Sequence, residues 1–260
     1  MQQLIREDQA DYIETMMKKF KLVDMREQYI GLIDEAEAAS MGYMDFLVRL
    51  LRVEEEGKKT RRYGRLLDKA CFDSTSALEE IDYAFNPTID KGKIGELASL
   101  RFMEARENII VIGPPGVGKS MIATGIGRKA CKRGHRVLFV NAKELVDRLH
   151  DDRLKGTLPE TLENLNKVDL LIVDELSYIN MDKEKESLFF QIIRQRYEKR
   201  SLIITTNLPM GRWNELFTGQ LAATAILDRL LHHCHVLSIT GDSYRVKGSK
   251  RSVNSRKDTA

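Results

Sequence analysis

Ile109-Ile110-Val111-Ile112-Gly113-Pro114-Pro115-Gly116-Val117-Gly118-Lys119-Ser120 is the stretch on which the reading of this 260-residue chain turns. An apolar run of strand length leads into the pattern Gly-x-x-x-x-Gly-Lys-Ser, and a helical pattern opens at Ser120 and continues towards Arg133. A strand that hands over to a helix through glycines is the setting a phosphate cradle requires. The glycines let backbone amides converge on phosphate oxygens, and the helix N-terminus favours negative charge. In such a cradle Lys119 reaches the β- and γ-phosphates and the Ser120 hydroxyl is offered to Mg²⁺. The bare pattern arises by chance in roughly one chain in a hundred of this length, so the flanking strand and helix carry the decision. The expected binding set is Gly113, Pro114, Pro115, Gly116, Val117, Gly118, Lys119, Ser120 and Met121, with ATP and Mg²⁺ as its ligands.

Working outward, further apolar runs of strand length follow at Val137–Val140, Leu170–Val173, Leu202–Thr205 and Val236–Ile239, separated by helical segments. Near-continuous apolar strands alternating with helices predict a parallel sheet covered on both faces. The third run ends in Asp174-Glu175. There an aspartate would hold the metal through its hydration shell and a glutamate would polarise an attacking water. The fourth run leads to Asn207, at the edge where open parallel sheets bind ligands. It is read either as a residue that orients the water or touches the γ-phosphate, or as a turn asparagine before Leu208-Pro209. Arg229, near the end of a helical pattern over Ala222–Leu231, either reaches the ATP of a neighbouring subunit or pairs within its own helix with Asp228.

Upstream, Asp8 to about Lys69 is helical in pattern. Tyr12, Met16, Phe20 and Leu22 recur near helix spacing, as do Tyr43, Phe46, Leu47, Leu50 and Leu51. Acidic and basic blocks then follow one another in Arg52–Arg65. The boundaries expected are a helical domain over residues 1–70, a linker over 71–90 with Asn86-Pro87, an α/β domain over 91–244, and a basic polar tail over 245–260. Two readings of the basic run stand: a solvated helix face, or phosphate contacts from Lys58, Lys59, Arg61, Arg62 and Arg65. Arg148, Arg153 and Lys155 could join them, as could Lys247, Lys250, Arg251, Arg256 and Lys257 of the tail.

Composition excludes more than it selects. Apolar residues make up 42% and the net charge is +3 from 42 basic and 39 acidic residues, so only the distribution of charge speaks about partners. The first residues are charged where a signal peptide is apolar, and no apolar run reaches membrane-spanning length, so the expectation is a cytoplasmic protein without a membrane partner. Cys71, Cys131 and Cys234 lie far apart and form no Cys-x-x-Cys pair of the kind used for zinc or redox chemistry.

Taken together, Gly-Pro-Pro-Gly-Val-Gly-Lys-Ser, Val173-Asp-Glu-Leu176, Thr205-Thr-Asn-Leu-Pro209 and Ile226-Leu-Asp-Arg-Leu-Leu-His-His233 resemble the AAA+ ATPases of the DnaC-like group. The chain is more closely similar to the IstB-type helper ATPases of insertion sequences. That similarity extends through Phe46–Leu51, Ile89-Asp90-Lys91, Ile94–Leu97 and Ile239–Arg245, nearly the whole chain. The resemblance implies an AAA+ P-loop domain with a five-stranded parallel sheet behind a small all-helical N-terminal domain. It implies an ATPase that oligomerises on duplex DNA, with ATP at subunit interfaces, and assists an IstA-type transposase. Lys119 and Ser120 match Walker A, Asp174 and Glu175 Walker B, Asn207 sensor 1 and Arg229 the arginine-finger position. The roughly twenty residues after the last strand are too few for a helical lid, which leaves Arg245 as the substitute for a lid-borne sensor. A replicative helicase loader shares the same core motifs, and an ATP-gated architectural DNA clamp would need no Glu175.

Overall fold

The computed structural model describes residues 2–178, 181–218 and 220–244 and divides the chain into two compact units, Met1–Arg65 and Leu66–Ala260. The first unit is built from α1 (Gln2–Lys19), α2 (Val23–Ala38) and most of α3 (Tyr43–Ala70). Its small core is Met17, Met25 and Tyr29, with Ile13, Leu22, Ile33 and Leu50 packed around them. This differs from the apolar stripes expected in sequence, because Tyr12, Phe20, Tyr43, Leu47 and Leu51 stay exposed. The expected stripes do not include α2, whose apolar positions are spaced among six charged residues.

The charge blocks of α3 have a structural use in this unit. No side chain of its own segment caps α2. The buried Glu54 carboxylate does so from α3, accepting from Asp24 N at 2.9 Å and Met25 N at 3.1 Å. A carboxylate at a helix N-terminus satisfies orphan amides and complements the dipole. Arg61 bonds both Asp24 and Glu54, and Lys58 lies 3.4 Å from Glu54. Gly57 makes room for this cluster, since a Cβ there would sit 1.9 Å from Asp24 Cγ.

The second unit carries the sheet: β1 (Asn108–Ile112), β2 (Val137–Asn141), β3 (Leu170–Asp174), β4 (Ser201–Thr206) and β5 (Cys234–Ser238), parallel throughout, in the order β2-β3-β4-β1-β5. Ile109, Ile110, Val111 and all of Leu170–Val173 are fully buried, as strands covered on both faces must be. The last strand starts two residues before the expected Val236, because Cys234 and His235 pair with Asn108 and Ile109. The polar first half of this edge strand adds nothing to the apolar run that marks the rest of it.

On one face the core joins Ile110, Leu171, Val173, Leu202 and Ile204 to α7 (Ala142–Lys155), α8 (Leu158–Asn166), α9 (Lys183–Arg196) and α10 (Gln220–Leu231). The opposite face is covered by α6 (Lys119–Lys132), whose Gly127 lies so close to the sheet that a Cβ would stand 2.7 Å from Ile172 Cδ1. Residues 71–90, expected as a linker, are packed into this unit. Phe72 meets the Phe139 ring, and Leu78, Ile81 and Ile89 are buried. The short α4 (Lys91–Ala98) and α5 (Arg101–Glu104) then lead to β1.

Arg196, at the end of α9, is 1% exposed and donates to the carbonyls of Leu165, Val168, Asp169 and Ser201. Burial lowers its pKa to about 10, which leaves it charged at neutral pH. It ties the end of α8 to the starts of β3 and β4.

Candidate nucleotide site

The loop between β1 and α6 bends where its glycines require it. Gly116 and Gly118 have φ of 82° and 101°, left-handed values that glycine adopts without strain. Gly113 has no room for a side chain, since a Cβ would lie 2.3 Å from the Ile239 carbonyl oxygen. Lys119 Nζ donates to the Gly113 and Pro114 carbonyls at 2.8 and 2.9 Å. The loop borders a cavity of about 310 Å³ lined by Pro115, Gly116, Gly118, Lys119, Ser120 and Met121, with Glu175, Ser177 and Asn207 opposite. Of the expected binding set, Gly113, Pro114 and Val117 do not line the cavity, and Val117 is fully buried.

The carboxyl ends of β3, β4 and β2 supply the remaining groups through one hydrogen-bonded chain. Ser120 Oγ donates to Asp174 Oδ2 at 2.9 Å, and Thr205 Oγ1 donates to the other oxygen, Oδ1. The same Thr205 hydroxyl accepts from Glu175 N at 2.9 Å. Glu175 has φ of 59°, a left-handed conformation unusual for a non-glycine residue. Asn141 Nδ2, at the end of β2, donates to Glu175 Oε2 at 3.3 Å. Ser177 Oγ accepts from Asn207 N at 2.9 Å and from Thr206 Oγ1 at 3.2 Å, which sets Asn207 at the cavity wall. Asp73 stands near Asp174; its carboxyl is raised above the usual range by partial burial first, then by the charges of Asp174 and Glu144.

Two adjacent hard oxygen donors, the Ser120 hydroxyl and the Asp174 carboxylate, suit Mg²⁺, which is held by few protein ligands alongside phosphate. The chemistry of the donor set therefore fits the metal.

The first and last segments of this unit meet on the loop. Tyr244 N donates to the Gly116 carbonyl at 2.9 Å, and Tyr244 OH donates to the Asp82 carbonyl at 2.8 Å. The Phe85 and Tyr244 rings lie 4.2 Å apart, and Thr88 Oγ1 donates to the Thr240 carbonyl at 2.8 Å. Tyr244 and Glu80 line the cavity. Sequence reading passed over these two, and over Thr205, Asn141 and Ser177. Only the run of polar residues after each apolar strand hinted at the last three.

The other expected residues lie elsewhere. Arg229 is on α10, with its NH1 on the Ala225 carbonyl at 2.8 Å and its Cζ 5.2 Å from the Phe190 ring centre, and it does not line the cavity. Lys58, Lys59 and Arg61 of the first unit have carboxylate partners on Glu54, Glu55 and Asp24, and Arg65 Nε donates to the Arg61 carbonyl. Arg62 is exposed on the same helix. In the second unit Arg148 is 3.8 Å from Asp152, Arg153 is 3.4 Å from Glu184, and Lys155 is exposed at the end of α7. Arg245, Lys247, Lys250, Arg251, Arg256 and Lys257 lie outside the described residues. No described helix is long and apolar enough to cross a membrane.

Comparison with known proteins gives a family and a fold. Residues 15–252 match the family model of IstB-like ATP binding proteins. The insertion sequence IS21 putative ATP-binding protein of Pseudomonas aeruginosa is 38% identical, over 95% of this chain and 93% of its own length. The corresponding IS232 protein of Bacillus thuringiensis subsp. berliner is 37% identical over 90% and 94%. Among solved structures, DnaI aligns with a TM-score of 0.55 at 24% identity, covering 64% of this chain and 92% of that one. AMPPCP-bound DnaA from Aquifex aeolicus aligns with a TM-score of 0.54 at 20% identity, covering 65% and 51%. These two likenesses concern the fold alone.

Proposed function

This chain belongs to the family of IstB-like ATP-binding proteins, and from that premise we propose that it hydrolyses ATP, assembles on duplex DNA and assists a transposase in target selection and strand transfer. The observation that carries hydrolysis is the chain Ser120–Asp174–Thr205–Glu175–Asn141, in which one buried threonine hydroxyl bonds the Asp174 carboxylate and the Glu175 backbone amide while Asn141 holds the Glu175 carboxylate.

Mg²⁺, when bound, neutralises charge on the β- and γ-phosphate oxygens. Ser120 and Asp174 would hold it, Asp174 through its hydration shell. Lys119 leaves its two loop carbonyls for phosphate oxygens. Glu175 orients a water for in-line attack on the γ-phosphorus; the bond to the β,γ-bridging oxygen breaks, and ADP and inorganic phosphate result without a covalent enzyme intermediate. Asn207 borders the same space and orients the water or the γ-phosphate. Arg229 serves the ATP of a neighbouring subunit once its guanidinium leaves the Phe190 face.

The names of the relatives, which belong to insertion sequences, support the reading of a transposase partner. Duplex DNA is the substrate surface, with basic side chains making contacts that position rather than specify.

The test is the ATPase rate and particle size of wild type and Glu175→Gln, with ATP, with and without duplex DNA. Assembly driven by ATP and DNA together, with the variant trapped assembled and turning over at least a hundredfold more slowly, is expected. If DNA changes neither rate nor size, the helper reading fails, and co-purification with a helicase would then identify a loader.

A further inference from the structure

The sheet edge opposite the nucleotide cavity, where the strands begin, carries a row of cations that the proposed mechanism does not use. Topology makes the row. Arg133 and Arg136 precede β2, Lys199 and Arg200 precede β4, and Arg106 precedes β1, and all five are exposed. These loops are far apart in sequence, and the order β2-β3-β4-β1 lays them side by side. Arg106, Lys199 and Arg200 border an open cleft of about 790 Å³ along this edge.

Among the described residues the acids on the same edge are Glu104, Glu107, Asp169 and Glu198, and Glu107 is 2.7 Å from His235 Nε2. Asp169 sits between two of the arginines, 2.8 Å from Arg200 NH1 and 3.6 Å from Arg136 NH2, and accepts from Arg136 N at 2.9 Å. One carboxylate thus aligns two guanidinium groups and neutralises one charge. Arg106 NH1 donates to the Glu198 carbonyl at 3.0 Å, not to its carboxylate.

Compensation of helix dipoles accounts for cations within the last turn of a helix. Arg133 is the C-cap of α6 and is covered by that account. Arg106, Arg136, Lys199 and Arg200 stand in the loops beyond and are not.

Neighbouring strands lie about 4.8 Å apart, so the row from β2 to β1 spans roughly 14 Å, the length of about four nucleotides at ~3.4 Å each along one strand of a duplex. Among the described residues no Phe, Tyr or Trp lines the cleft, whereas surfaces that grip single strands stack bases on aromatic rings. We propose that this edge is a binding surface for the phosphate backbone of duplex DNA. The proposal rests on the reading that the protein binds DNA, and it locates contacts that the sequence placed on α3 and α7.

The experiment is anisotropy of a labelled duplex with ATP across a salt series. It compares wild type, Arg133→Gln/Arg136→Gln/Lys199→Gln, and the charge-keeping Arg133→Lys/Arg136→Lys. Each lost phosphate contact lowers the slope of log affinity against log salt by ~0.9. The triple variant should lose a slope of about 2 to 3 and bind at least about tenfold more weakly near physiological salt. Its DNA-independent ATPase rate should stay at the wild-type level, which shows that it folds, and the lysine variant should bind as wild type. An unchanged slope in the triple variant overturns the proposal while leaving the DNA reading intact. A wild type that binds no duplex at any salt overturns both. A single strand bound as tightly as the duplex, with the same loss in the variant, overturns the commitment to duplex.

Discussion

Thr205 is the residue that joins the Asp174 carboxylate to the backbone of Glu175. Its hydroxyl is fully buried, donates to Asp174 and accepts from Glu175 N. Valine has nearly the same shape and neither capacity. Thr205→Val leaves a buried amide without its partner, which costs about 1–3 kcal/mol, and frees a left-handed residue that is strained by a comparable amount. We expect kcat for ATP to fall at least tenfold with a smaller change in KM, and Thr205→Ser to restore most of it. Steady-state kinetics checks this, and an unchanged kcat in the valine variant would sink it. The site shows what a sequence can and cannot display at this scale. Gly113–Ser120 and Asp174-Glu175 are legible because the chemistry needs those types at that spacing. Thr205 and Asn141 are not, because their partners come from other strands and only the register of β2, β3 and β4 brings them together.

At the scale of the element, α3 carries the sharpest test. Its alternating charges read equally well as a solvated face, and the use of Glu54 as the cap of α2 appears only once both helices are placed. Gly57 and Gly64 look alike in sequence, yet a Cβ meets the Asp24 carboxylate at the first and nothing within 4 Å at the second. Alanine gains up to about 1 kcal/mol over glycine inside a helix, while an overpacked contact costs typically 1–3 kcal/mol. Gly64→Ala should therefore stabilise the first unit, and Gly57→Ala should destabilise it. Denaturant unfolding followed by helical signal measures both. Equal effects from the two substitutions would remove the packing argument. The strands divide in the same way. β1, β3 and β4, buried on both faces, announce themselves as apolar runs over most of their length, whereas β5 at the edge shows only its second half in Val236–Ile239, and the strand order is written nowhere in the chain.

Across the whole molecule, the nucleotide cavity draws on residues from Glu80 to Tyr244, all within the second unit. The first unit has its own small core of Met17, Met25 and Tyr29, and a unit of that size buries too little to be more than marginally stable. Chains with separate cores depart from two-state unfolding, so heating should give two transitions. A ligand that binds only the folded form stabilises it by RT ln(1 + [L]/Kd), about 2.7 kcal/mol at a hundredfold excess over Kd. For a unit of this size that amounts to a shift of roughly 5–10 °C. Calorimetry with and without magnesium and a non-hydrolysable ATP analogue should therefore move the transition of the second unit by that amount and leave the other in place. A single transition that moves as a whole would mean that the two units unfold together. Two transitions that both stay fixed would mean that the cavity beside Gly113–Ser120 does not hold the nucleotide.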